Sequence, residues 1–141
     1  MTNLNSMKIQ SSSSKISKLV NNISKTCNSL FEVFEKFMDA VSTYTGTTVK
    51  KMSKWIHSLL VDRIMNKIFR LKDYLKELNL AIQNGQINEK EWTTIASSLI
   101  ESKDEIIRKM QKNNFLYNNF GFLLNEVNGM IDENLNLMVV R

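Results

Sequence analysis

One histidine and one cysteine are all that this chain of 141 residues offers to zinc-type or thiol chemistry. His57 lies in the run Trp55-Ile56-His57-Ser58-Leu59. A histidine among large apolar neighbours is expected to be part-buried and hydrogen-bonded rather than catalytic. Cys27 falls inside a repeating apolar series, so it is expected to be an inert core thiol. A reactive cysteine needs an exposed, electropositive setting that favours the thiolate, and no cation shares its seam. A structural zinc site takes four Cys or His ligands, so no metal site is expected. The single cysteine also excludes an intrachain disulfide and fits a reducing compartment.

Carboxylates come in pairs at Glu32 and Glu35, Asp104 and Glu105, and Asp132 and Glu133. General acid–base work needs such groups held in a cleft with displaced pKa values. These pairs fall on polar helix faces or near helix ends, where solvated charge is the expected state. A helical di-metal site would pair Glu with Glu-x-x-His units, and one histidine cannot supply them. Neither standard glycine-rich phosphate loop is present. No catalytic residue and no cofactor is therefore expected, and the chain reads as a non-enzyme.

The remaining chemistry is electrostatic. The formal charge of +5 is unevenly spread: residues 1–31 carry +4 and residues 47–84 carry +5, whereas 32–46 and 113–141 each carry −2. Lys50, Lys51, Lys54, Arg63, Lys67 and Arg70 are the candidate contacts for phosphate, whether of a nucleic acid or another anion. The competing account is a solvated flank whose long stems cover apolar surface. Lysine outnumbers arginine and aromatics do not alternate with the cations, so any nucleic-acid contact would be non-specific.

These residues must be carried by helices. Proline is absent and only four glycines occur, which argues against an all-β fold rich in turns. Between Met52 and Ile82, apolar residues recur at Ile56, Leu60, Ile64, Ile68, Leu71, Leu75 and Leu78, every three or four positions. That is the period of a helix face. An earlier series, Ile16, Val20, Ile23, Cys27, Leu30, Phe34, Phe37 and Val41, alternates four and three, as in a coiled coil. Gly46 marks a first turn, with Thr47 or Thr48 as helix cap, and Asn84-Gly85-Gln86 marks a second. Asn88 with Glu91 reads as a capping box. A third helix follows, interrupted in its seam by Lys103. Asn113-Asn114 is the last joint. In the final helix Gly121 and Gly129 predict either a close helix approach or, at Gly129, an end.

The expected fold is an all-α antiparallel four-helix bundle with two long and two shorter helices. Residues 1–11 are expected to form a flexible tail and residues 12–141 a single domain, its first helix starting at the serines 11–14. No stretch has the length and apolarity of a membrane span, and a membrane-surface role is not expected. The expected function is non-enzymatic: protein–protein binding or oligomerisation through an apolar helix face formed by Leu60, Val61, Ile64, Met65, Ile68 and Phe69. The partner would be another protein or further copies of the chain. A basic nucleic-acid-binding protein is the first alternative. An exported effector or regulator from an AT-rich microbe or virus is the second, suggested by the heavy use of Asn, Lys, Ser and Ile, whose codons are mostly AT-rich, and by the acid-free, serine-rich start. The expected location is intracellular and cytoplasmic.

Overall fold

The computed structural model describes residues 4–42 and 47–139, with side chains at 15–36, 38 and 58–139. These residues form four helices: α1 (Leu4–Ser42), α2 (Thr47–Gln83), α3 (Glu89–Lys112) and α4 (Asn114–Val139). No strand occurs among the described residues. The first two have 39 and 37 residues and the last two 24 and 26, so the two long and two shorter helices of the sequence pattern are present. α1 begins at Leu4, ahead of the serine run where the sequence pattern sets its start. Serine is only a moderate helix former, yet each one lowers helicity little. A helix anchored from Ile16 onward can therefore continue backward through 11–14.

α1 packs on α2 and α3, and α4 packs on the same two. Consequently α1 and α4 occupy one diagonal of the bundle, α2 and α3 the other. Successive helices run in opposite directions. Ile16 and Leu19 share a cleft with Leu80 and Asn84 across the first hairpin, and Lys103 reaches Asp132 across the second. Lys72 pairs with Glu126, and Leu75 lies beside Asn134 further along both chains. α2 and α4 are therefore parallel neighbours, as are α1 and α3, where Glu35 meets Lys109.

The connections follow from local chemistry. Gly85 ends α2 in the left-handed region at φ 69. Gln86 N donates to Ala81 O at 3.0 Å and Gly85 N to Ile82 O at 3.1 Å, which closes the helix end with the paired bonds of a Schellman motif. Ile87 is buried directly after it. Asn88 caps α3, its side chain accepting from Lys90 N at 3.5 Å. Asn113 ends α3 and caps α4, accepting from Leu116 N at 3.1 Å. The first turn, 43–46, with Gly46, lies outside the described residues, and so does the side chain of Thr47.

α2 is the hub. Ile64, Ile68, Leu71, Leu75, Leu78 and Ile82 are all buried to 1% exposure or less. From α1 come Ile16, Val20, Ile23, Cys27, Leu30 and Phe34, all buried. The α3 seam is Ile95, Leu99, Ser102, Ile106 and Met110. The interruption is thus the small Ser102, while Lys103 stands half-buried at the edge and bonds Asp132 at 2.6 Å. Lys103 alone breaks the apolar pattern by eye, but a gap of three after Leu99 puts Ser102 inward.

α4 runs through Gly129 without a break. Gly121 is buried, and a Cβ there would stand 3.2 Å from the Tyr117 ring. Gly129 is exposed, with nothing within 4 Å of an added Cβ. The two glycines therefore do not share one close approach. Glycine in a helix interior costs about 0.5–1 kcal/mol relative to alanine. Gly129→Ala is accordingly expected to raise the stability of the isolated chain by about that amount, measured by urea unfolding at low protein concentration.

Candidate interaction surface

The apolar face expected to meet a partner divides in two when the helices pack. Ile64 and Ile68 are core residues at 1% and 0% exposure, so they do not belong to any outer surface of the closed bundle. Leu60, Val61 and Met65 are half-buried, and Val61 and Met65 pack against that core. Phe69 alone of the six stands out, at 50% exposure. The physical reason is that α2 has neighbours on two sides, α1 and α4, and their contact consumes most of its wide apolar arc.

A second aromatic completes what Phe69 begins. Phe69 precedes Lys72 by one turn, and Phe122 precedes Glu126 by one turn. Lys72 and Glu126 form an ion pair across the parallel α2–α4 seam. Both phenylalanines therefore lie at the same level of adjacent helices, and both are turned to solvent. Phe122 is 78% exposed. Beyond the ion pair the seam opens into a groove of about 560 Å³ between Lys76, Leu80, Met130 and Glu133. Leu80, 58% exposed, lies between this groove and the α1–α2 cleft. Asn134 closes the groove's inner wall. Its Nδ2 donates to Leu75 O at 3.2 Å, while its Oδ1 is buried with no partner among the described residues.

Phe122 is absent from the apolar face drawn from sequence because it sits between the inward Phe120 and Leu124. Two signals point to it: the charge-free run from Asn113 to Asn125, and the spacing of seven to Gly129.

Of the candidate phosphate contacts, Arg63 and Arg70 are exposed and Lys67 is half-buried. Their spacing of four and three keeps them on one flank of α2. None of the three is ion-paired with another described residue. The side chains of Lys50, Lys51 and Lys54 lie outside the described residues, as does that of His57.

The acidic pairs take ordinary roles. Glu35 bonds Lys109 at 2.6 Å, Glu105 pairs with Arg108, and Asp132 bonds Lys103. Lys109 also stands 5.9 Å from the centre of the Phe31 ring, a distance at which cation and ring attract. Glu32, Asp104 and Glu133 face solvent. Among the described residues no group of three or more His, Cys, Asp or Glu is placed to hold a metal ion.

Cys27 is 2% exposed, and burial pushes its thiol from 9.0 up to about 12. At neutral pH it is a thiol and not a nucleophile. A thiol reagent at pH 8 is expected to leave Cys27 unmodified in the native chain and to label it fully in denaturant; rapid native labelling would contradict the placement. The raised value also has a sign. The stability Cys27 contributes is complete below pH 9.0, where folded and unfolded thiols are both protonated. It is lost as pH climbs toward 12, because only the unfolded thiol ionises there.

No family model, curated protein or solved structure matches the chain. Among the described residues no helix is long and apolar enough to cross a membrane.

Proposed function

We propose that this chain is a non-enzymatic interaction protein that binds another protein surface through the outer side of the α2–α4 pair. The observation that carries the reading is the co-location of Phe69 and Phe122, both exposed, at one level of two adjacent helices. Neither ring is needed to fill the core, which α2 already closes with Ile64 through Ile82. Large aromatics are the residues that most often anchor protein interfaces. The Lys72–Glu126 pair beside them supplies a polar rim, and the Leu80 groove extends the apolar surface along the seam.

The test is molar mass in solution by light scattering across a salt series. An assembly larger than the 16.4 kDa chain that ignores salt supports the reading, because apolar contact is not screened. A species that dissolves as salt rises would instead show that charge holds it together.

A second reading rests on Arg63, Lys67 and Arg70, which share a flank without described acidic partners. It is a non-specific contact with nucleic-acid phosphates. It expects binding to duplex DNA at low ionic strength and a steep linear fall of log affinity with log salt. Failure to bind even at low ionic strength ends that reading.

A further inference from the structure

Asn134 stands where the packing of α4 calls for an apolar residue. Val127, Ile131, Asn134 and Met138 follow one another at spacings of four, three and four, and the other three are apolar and buried. The Asn134 amide is only half used. Its Nδ2 donates to Leu75 O, while its Oδ1 is buried with no partner among the described residues. A buried oxygen in that state costs stability. A core position that departs from the pattern at such a cost is where function is to be sought.

The surroundings of Asn134 indicate which function. It lines the groove of about 560 Å³ between α2 and α4, a volume within the range of small-molecule sites, roughly 300–1,000 Å³. Such sites set a few placed polar groups among apolar walls. Here Leu75, Leu80 and Met130 supply the walls and the Asn134 amide the polar group. Because Nδ2 is engaged, the amide offers an acceptor and no free donor to match Oδ1. The complementary ligand group is therefore one that donates.

Charge and size narrow the ligand further. Lys76 and Glu133 stand on the two walls, exposed, and neither is ion-paired with another described residue. An anion drawn to Lys76 is repelled by Glu133, and a cation the reverse, so a neutral ligand is favoured. Among neutral donors a hydroxyl asks least of the site, since it brings no separate carbonyl as an amide does. Met130, half-buried one turn before Asn134, gives the wall its play. An unbranched thioether re-seats at little cost, which opens the last step to Oδ1. We infer that this groove binds a small neutral alcohol or phenol, its apolar body against Leu75, Leu80 and Met130 and its hydroxyl donated to Asn134 Oδ1. The site is independent of the exposed rings of Phe69 and Phe122, and either can stand without the other.

Phenol and anisole, the same ring with the donor methylated, are the probes. Each is titrated into the full chain and followed by the NMR signals of the Met130 methyl and the Asn134 side-chain amide. Anisole is the more apolar of the two, so transfer from water alone favours it. The wild type is nevertheless expected to bind phenol at least about fivefold tighter, roughly 1 kcal/mol, with both signals shifting. Asn134→Leu is expected to lose that preference and bind anisole at least as well, with its helical circular dichroism kept. Leu80→Ser is expected to weaken both probes alike and leave their ratio unchanged. Three results overturn the inference: no shift at Met130 with phenol up to about 20 mM, wild-type affinity for anisole equal to or above that for phenol, or a phenol preference that survives in Asn134→Leu. The comparison of the two probes on the wild type stands whatever the variants do.

Discussion

Leu75→Ala is expected to destabilise the chain by about 2–5 kcal/mol in urea unfolding, the usual range for emptying a leucine site in a core. Leu75 has no exposed surface. It lies on the α2 stripe where α2 meets α4, so its loss leaves a cavity that α2 alone cannot close. Native domains are stable by only about 5–15 kcal/mol, so this single change removes a large fraction of the total. Leu80→Ala, five residues further along the same helix, is the internal control. Leu80 is 58% exposed and is expected to change stability by no more than about 0.5 kcal/mol. Equal losses at the two positions would show that α2 does not divide into a buried hub and an outer groove.

The second large effect is at Asn134, which is 1% exposed. Its Nδ2 bonds Leu75 O, but its Oδ1 has no partner among the described residues. A buried acceptor left unpaired costs about 1–3 kcal/mol. Leu75 O sits within α2 and keeps its helical bond without Asn134. Asn134→Leu, similar in volume, therefore removes the unpaired oxygen, adds apolar burial and is expected to raise stability by about 1–2 kcal/mol. Asn134→Asp places an uncompensated charge in the same spot and is expected to cost about 3–5 kcal/mol at pH 7. Lowering the pH should return much of that loss, because the protonated acid resembles the amide. Thermal unfolding of the two variants at pH 7 decides the matter. Equal, small effects would mean that the oxygen is solvated. Asn128 repeats the theme, its Oδ1 also buried without a described partner.

Much of this architecture is legible in the sequence because α1 and α2 obey one period over long stretches. The four-three series from Ile16 to Phe34 is buried throughout, and so is the series from Ile64 to Ile82. Gly85, Asn88 and Asn113 announce their turns by residue type, and each does so through the backbone bonds its chemistry allows. The surface is less legible. Periodicity shows that an apolar arc is wide, but not how many neighbours will share it. Ile64 and Ile68 look available for a partner until α1 and α4 cover them. The same limit hides Ser102, a polar residue at an inward position, and Phe122, an apolar residue at an outward one. Both break the rule that pattern and burial agree. Such breaks are where function or strain is to be sought.

The most direct measurement compares the molar mass of the wild-type chain with that of the Phe69→Ser/Phe122→Ser double variant by light scattering, at low and high salt. If the outer α2–α4 surface joins copies of this chain, the wild type exceeds 16.4 kDa at both salt concentrations, and the double variant returns to the mass of one chain with its helices intact. Equal masses for the two proteins, or a wild-type assembly that falls apart as salt rises, would contradict it.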